Sequence, residues 1–170
     1  MSTLTDTRPG NDTAAIGLFE AAEFIWREGE ILDRQDYADW LPLWTDDGLY
    51  VIPIERGDGD HADALNIAYD DAEMRKARVK RLKSGFSISS APSARTVRSA
   101  SRFVLGGQQD GATVVRCAQT IVEYKFERTR TLAADVVFHL VRRDDGIAIA
   151  RKEILFLNSD DFVWGIGYLP

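Results

Sequence analysis

The chain has 170 residues, of which 45% are hydrophobic and 28% are charged, and its formal net charge is −6. A chain of this length and composition can bury a core without disulfide or metal cross-links, so we expect a globular protein. The acidic balance argues against a general nucleic-acid binder. No segment approaches about 18 uninterrupted apolar residues, and the first residues lack an apolar signal core. We therefore expect a cytoplasmic protein that does not cross a membrane.

Counting the potential metal ligands excludes several kinds of site. Cys117 is the only cysteine, which excludes an intrachain disulfide and a cysteine-based zinc or iron–sulfur site within one chain. His61 and His139 are the only histidines, so a three-histidine zinc site is impossible. No segment matches the glycine-rich phosphate loop G-x-x-x-x-G-K-[ST]. The chain is therefore poor in the side chains that usually carry catalysis.

The N-terminal part of the chain predicts helices. Residues 1–12 are polar and aperiodic, and we interpret them as a flexible tail before a single domain at 13–170. The next residues recur at helical spacing and place Leu18, Ala22, Ile25, Gly29 and Leu32 on one stripe. Thr13 is the expected N-cap of this helix, and Glu28 falls away from the apolar stripe with Glu20 and Glu23.

The next segments predict a short helix, a strand and a third helix. Asp33 is the expected cap of a second helix, which Pro42 should end or tighten. The sequence Asp46-Asp47-Gly48 predicts a turn before a strand at 49–54. An acidic loop follows, and a basic helix is expected from Asp70 to Lys83.

The second half of the chain predicts a sheet. Strands are expected at 103–105, 113–128, 136–142 and 147–158, and Asp144-Asp145-Gly146 predicts a hairpin turn. Alternating residues in the long run predict a strand with one dry face and one wet face. Helices followed by long antiparallel strands indicate an α+β fold, in which a curved sheet wraps over N-terminal helices.

Several segments follow one another in the order that is typical of one family. They are residues 23–25, 30–33, 37–41, 46–47 and 50–53, and then 78–82, 92–98 and 145–152. Over about residues 18–169 the sequence resembles the small (beta) subunit of bacterial aromatic-ring-hydroxylating dioxygenases, the Rieske non-haem iron oxygenases. The helix–helix–strand opening also fits the wider NTF2-like or ketosteroid-isomerase-like superfamily.

This resemblance implies a cone-like sheet and a trimer of beta subunits under a catalytic alpha trimer, in an alpha3beta3 assembly. In the family, the alpha subunit carries the Rieske 2Fe-2S cluster, the mononuclear Fe(II) and the substrate pocket, and the beta subunit is mainly structural. The resemblance thus implies no cofactor and no catalytic centre in this chain, with cis-dihydroxylation of an arene in the partner. The ligand count agrees, because one cysteine and two histidines cannot form both iron sites.

His139 offers an alternative function. It lies in an apolar segment, and it could act as a general base inside the cone with Tyr124 or Asp135 nearby. The protein would then be a stand-alone isomerase, dehydratase or cyclase of the same fold. We favour a half-buried structural histidine, because fold analogy is weak support for function. A binding module of the same fold is a third hypothesis. The other histidine, His61, lies in an acidic segment, and we expect it to be in a solvated loop.

The C-terminal residues 162–170 are apolar and aromatic, which is unusual for a chain end. They must pack on the chain's own core or on another subunit, and we expect both. Arg95 and Arg98, with Trp164 and Tyr168, are our candidates for subunit contacts, because arginine and aromatic side chains concentrate interface energy.

Overall fold

A computed structural model of the chain describes residues 15–55, 57, 61–84, 93–159 and 165–170. The elements in chain order are α1 (Leu18–Asp33), α2 (Tyr37–Trp40), β1 (Trp44–Pro53), β2 (Asn66–Asp70), α3 (Ala72–Lys83), β3 (Arg95–Gln109), β4 (Ala112–Lys125), β5 (Arg128–Arg143) and β6 (Gly146–Phe156). The α+β class is confirmed. None of these helices is long and apolar enough to span a membrane. The tail at 1–12 and the expected cap Thr13 lie outside the described residues.

The strands form one sheet in the order β2-β1-β6-β5-β4-β3. β1 and β6 run parallel, and the other neighbouring strands are antiparallel. The predicted hairpin turn at 144–145 joins β5 to β6. Between β4 and β5, Phe126 and Glu127 have φ values of 50° and 59°, and two successive positive φ values match the right-handed twist of the strands. Register shifts in β3 bend this edge strand, which helps the sheet to curve.

One face of the sheet, which we call the inner face, packs against α1 and α2 and carries the core. Trp40, Trp44 and Tyr50 form an edge-to-face cluster with ring centroids 5.2–5.9 Å apart. A tightened 3-10 turn, Leu41–Leu43, follows α2 at Pro42, as predicted. The opposite side of the sheet is called the outer face.

A buried ion pair lies at the centre of the core. Lys152 on β6 and Glu28 on α1 are both fully buried, and Lys152 Nζ lies 2.7 Å from Glu28 Oε1. The indole N–H of Trp40 donates to the same oxygen at 2.9 Å. The prediction that Glu28 falls on the polar side of α1 is therefore wrong. A charged residue in a helix usually indicates the solvent-facing side. The sequence could not show that Glu28 is buried, because its partner Lys152 is 124 residues away.

The C-terminal segment 165–170 packs into the same core. Tyr168 and Leu169 are buried, and the Tyr50 hydroxyl donates to the Pro170 oxygen at 3.1 Å. Lys152 Nζ also lies 3.4 Å from that oxygen. These contacts show that this part of the aromatic tail packs on the chain's own core. Trp164 lies outside the described residues.

Two local predictions are wrong. The expected turn at 46–48 lies inside β1, where the register with β6 jumps from Trp44↔Ile149 to Leu49↔Arg151 and extra residues are accommodated. Gly48 suits this position, because a Cβ would lie 3.0 Å from the Ile149 carbonyl oxygen, closer than an ordinary contact. The expected helix start at Asp70 is instead the end of β2, and the side chain of Asp71 caps α3 by accepting from the Met74 N–H.

We expect Lys152→Met to lower the free energy of unfolding by roughly 3–5 kcal/mol, because it leaves the Glu28 carboxylate buried without its cation. The double variant Glu28→Gln/Lys152→Met should recover at least half of that loss, since the glutamine still accepts from Trp40. Urea unfolding followed by tryptophan fluorescence measures both. Arg27→Met, which breaks an exposed pair with Glu23, is the control and should change little. A Lys152→Met effect no larger than this control would contradict the assigned role of the pair.

Candidate functional site

The two faces of the sheet differ from what the residue types suggest. In β4, Gln119, Ile121 and Glu123 are buried on the inner face, and Val122 and Tyr124 are exposed on the outer face. The alternation is as predicted, but the assignment of the faces is wrong, because the more apolar set with Val122 and Tyr124 is exposed and the set with Gln119 and Glu123 is buried. Glu123 is satisfied there by Arg130, at 2.6 Å. The outer face consequently exposes apolar side chains that a solvated sheet face would usually lack.

The candidate catalytic residues all lie on the outer face. Alternate residues of β5 from Leu132 to Leu140 are buried, so Asp135 and His139 point to the other side. The alternative that required His139 inside the cone is therefore contradicted, because the two-residue period of the strand turns this side chain to the outer face. Its intermediate burial agrees with the favoured interpretation of a half-buried residue. Tyr124 is opposite Thr129 on β5, ten residues before His139. At about 3.3 Å per residue that is about 33 Å, too far for both to act on one small molecule.

The surroundings of His139 are those of a residue that packs in the sheet. It is half-buried and opposite Arg151 on β6. Burial first, and then the nearby Arg151 charge, lower the pKa of His139 below its ordinary value of 6.5. The imidazole is therefore neutral at pH 7.

His61 was expected in a solvated loop, and this prediction is wrong. It is buried, and its Nε2 lies 3.2 Å from Glu153 Oε1. The other oxygen of Glu153 lies 3.1 Å from Arg151. The shared carboxylate ties the segment around His61 to β6. Within the described ranges, no group of three or more His, Cys, Asp and Glu side chains is arranged to hold a metal ion.

Cys117 is buried on the inner face, as predicted for a small core residue, and Arg116 points to the opposite face. Burial raises the pKa of the Cys117 thiol to about 12. A protonated thiol without exposure is a poor nucleophile. The residue is part of the packing rather than a reactive group.

One surface of the outer face stands out, and we call it the outer patch. It consists of Arg95, Val97, Val122 and Tyr124. Val97 and Val122 pair directly across β3 and β4, and they are 65% and 42% exposed. The Arg95 guanidinium lies over the Tyr124 ring, 4.7 Å from its centroid. Of the four, the sequence indicated only Arg95 as a surface contact.

The other arginine and the tyrosine expected at an interface are inside the chain. The Arg98 side chain is 3% exposed, and its guanidinium pairs with Asp33 and donates to the Leu169 carbonyl. Tyr168 lies beneath it, and burial, followed by Glu123, raises its pKa. Both side chains thus hold the C-terminal segment to the core, and the proposal of direct subunit contacts is wrong for both. Arginine and aromatic residues occur both at subunit interfaces and in contacts inside a chain, so residue type alone does not distinguish the two.

Asp33 is also reassigned. It is the last residue of α1 and does not cap α2. Its carboxylate accepts the Thr96 hydroxyl at 2.7 Å and the Arg98 backbone N–H at 2.8 Å. These bonds fix the start of β3 against the end of α1, so that Arg98 turns inward and Arg95 and Val97 face outward.

The lowered pKa of His139 predicts a pH dependence of stability. Between the folded-state pKa and the unfolded value near 6.5, the unfolded chain binds a proton that the folded chain does not. Stability should therefore fall as the pH is lowered through about 6.5. We expect His139→Gln to lose less stability than the unsubstituted chain between pH 7.5 and 5.5, measured by urea midpoints. An equal loss in both proteins, or an NMR titration midpoint of His139 at or above 6.5, would disprove the neutral assignment.

Comparison with known proteins identifies the family to which the chain is similar. The profile of the family described as ring hydroxylating beta subunit matches residues 27–160. The benzene 1,2-dioxygenase subunit beta of Pseudomonas putida is 24% identical over 152 residues, which cover 82% of this chain and 81% of that protein.

Two solved structures show the same fold. The beta subunit of benzoate 1,2-dioxygenase from Burkholderia mallei aligns with a TM-score of 0.74 at 18% identity, over 92% of this chain and 99% of that one. An NTF2-like protein with a cystatin-like fold from Novosphingobium aromaticivorans aligns with a TM-score of 0.56 at 15% identity, over 82% and 81% of the two chains. The fold is therefore NTF2-like. Because the family profile spans most of its length, the chain belongs to the ring-hydroxylating beta subunit family.

Proposed function

We propose that the chain is a non-catalytic structural subunit of a multicomponent aromatic-ring-hydroxylating dioxygenase. In this assignment a partner alpha subunit adds both atoms of dioxygen to an arene, and this chain holds the partner in its assembly. The observation that carries the proposal is the outer patch, an exposed apolar surface on a chain whose family consists of subunits. Two of the proteins compared above, from Pseudomonas putida and Burkholderia mallei, are likewise beta subunits of dioxygenases.

The outer patch has the chemistry of an interface. Val97, Val122 and Tyr124 occupy adjacent positions of two paired strands, and β3 is the edge strand of the sheet. Contiguous exposed apolar side chains are typical of interaction sites, and an arginine stacked on a tyrosine is a common anchor. A solvated strand would carry polar or charged residues there. Association would bury this surface.

We assign the outer patch to contacts between copies of this chain in a cyclic trimer, which docks on an alpha trimer as an alpha3beta3 heterohexamer. Cyclic closure requires two different patches on each subunit, and the outer patch is one of them. The contact is thus heterologous, so a substitution in the patch affects all three interfaces of the ring.

The cofactors belong to the partner in this proposal. A Rieske 2Fe-2S cluster needs two cysteines and two histidines, and a mononuclear Fe(II) site needs two more histidines with a carboxylate. This chain has one cysteine and two histidines in total, and Cys117 and His139 lie on opposite faces of the sheet. We therefore place both iron sites in the alpha subunit and the whole complex in the cytoplasm.

The alternative of a stand-alone isomerase, dehydratase or cyclase has lost its structural basis. It required His139 on the inner face with Tyr124 or Asp135 beside it. Those residues lie on the outer face, and Asp135 is engaged by Arg102 at 2.5 Å. The centre of the inner face is occupied instead by the Glu28–Lys152 pair and residues 168–170.

The proposal is tested by co-expressing the chain with its large subunit and measuring the mass of the complex by native mass spectrometry. Val97→Lys/Val122→Lys places two ammonium groups where the patch would be buried, and desolvating them is costly. We expect the heterohexamer to give way to smaller species.

Phe19→Lys is the matched control, because Phe19 is an apolar side chain on α1 that is more exposed than Val97 and Val122. It should leave the mass unchanged, and circular dichroism should show that all variants are folded. An intact heterohexamer with the double variant would remove the outer patch from the interface. Failure of the unsubstituted chain to associate with a large subunit would overturn the proposed function itself.

A further inference from the structure

A cavity of about 230 Å³ lies between α1 and the start of the β3–β4 ladder. Ile25, Trp26 and Gly29 line it on the helix side, and Arg98, Ala100 and Gln119 line it on the sheet side. An apolar cavity of about 150 Å³ is enough to bind benzene in another protein. This cavity can therefore hold a molecule of one aromatic ring with a small substituent.

Two buried N–H donors that line the cavity are unsatisfied. Gln119 is 4% exposed, and its Nε2 has no hydrogen-bond partner. The Nε of Arg98 is also buried without a partner, although the rest of the guanidinium is engaged by Asp33 and Leu169. Buried donors are nearly always paired, so this place is suited to a group that accepts hydrogen bonds.

Gly29 keeps the cavity open at the cost of helix propensity. It lies in the middle of α1, where alanine is favoured over glycine. A Cβ at this position would meet Arg98 Cβ at 3.8 Å and Arg98 Cδ at 3.9 Å, which are ordinary contacts. Packing against Arg98 therefore does not require a glycine. Its absent side chain instead leaves room at the wall of the cavity.

The charges around the cavity favour a neutral occupant. The carboxylate of Asp33 is paired with Arg98, and the carboxylate of Glu30 is paired with Arg34 at 2.5 Å. An anion would find no free cation and would lie beside two carboxylates. A cation would leave the two unsatisfied donors without an acceptor. The remaining wall is apolar, with Ile25, Ala100 and the Trp26 ring.

The Trp26 ring is held in a fixed position at this wall. Its indole N–H donates to the Ala100 carbonyl at 3.0 Å, and its ring meets Phe103 edge-on at 5.6 Å between centroids. A fixed aromatic wall is suited to a planar ring, because little conformational freedom is lost on binding.

We propose that this cavity is a binding site for a small neutral molecule of one aromatic ring bearing a carbonyl or similar acceptor oxygen. The oxygen accepts from Gln119 Nε2, and the ring packs against Trp26 and Ile25. The site does not depend on the outer patch or on association with a large subunit.

Benzamide, benzoate and benzamidinium are suitable probes, because they share one shape and differ in charge and in acceptor oxygens. We would titrate each into the ¹⁵N-labelled full chain and follow the side-chain amide of Gln119 and the indole N–H of Trp26 by NMR. Benzamide should shift both resonances saturably, and the two charged probes should bind at least fivefold more weakly. Absence of saturable shifts with benzamide would overturn the proposal, and so would equal binding of all three probes.

Substitutions assign the binding to the cavity. Gln119→Leu should weaken benzamide binding about fivefold, the effect of losing one hydrogen bond. Gln109→Leu is the matched control, since Gln109 is exposed at the far end of β3. Gly29→Ala should raise the melting temperature of the free chain and also weaken benzamide binding, which separates filling of the cavity from damage to the fold. Unchanged affinity in both Gln119→Leu and Gly29→Ala would place the binding elsewhere and refute the site.

Discussion

The Glu28–Lys152 ion pair determines how the parts of this fold meet. The two charges have no exposure, so they must find each other and their hydrogen-bond partners inside the core. Glu28 brings α1, Trp40 brings α2, Lys152 brings β6, and the Pro170 oxygen brings the C-terminal segment to one point. Replacing such a pair by apolar residues is often neutral, so we infer that this pair specifies one arrangement of the core rather than adding stability. Arg98 and Asp33 fix the same segment a second time, from β3.

The buried pair and the C-terminal segment occupy the centre of the inner face, and the candidate catalytic side chains Asp135 and His139 lie on the outer face. Burial lowers the pKa of the Lys152 ammonium, and the Glu28 carboxylate, which accepts a hydrogen bond from it, opposes that shift. On the outer face, Glu153 is shared by His61 and Arg151, and Asp135 is held by Arg102. The apolar outer patch is also exposed on this face. This distribution suits a chain that contributes surface to an assembly.

The sequence predicted periodicity well and orientation poorly. Helical spacing located α1, and alternation located β4 and the β5–β6 hairpin, because both signals are local. Neither signal states which face meets the core when polar residues are buried. Glu28 was therefore assigned to the polar side of α1 without regard to its distant partner Lys152. The alternative role of His139 required a position inside the cone, which the sequence could not test, since its apolar neighbours alternate between the two faces. β2 was missed because Asn66–Asp70 is short and its pairing partner β1 was itself predicted too short. Arg98 and Tyr168 are residue types that are common at interfaces. Only the three-dimensional structure shows that Arg98 binds the C-terminal segment and that Tyr168, within that segment, is buried in the core.

The central claim is that this chain supports assembly without taking part in the chemical step. The most direct test is the Asp135→Asn/His139→Gln variant in the purified complex with the large subunit, on an aromatic substrate that the unsubstituted complex oxidises. Product formation, coupled oxygen consumption, iron content and native mass should be measured on the same preparation. The account predicts kcat within about twofold of the unsubstituted complex, at unchanged iron content and mass. A large loss of kcat in a complex that keeps its full mass and iron would contradict it.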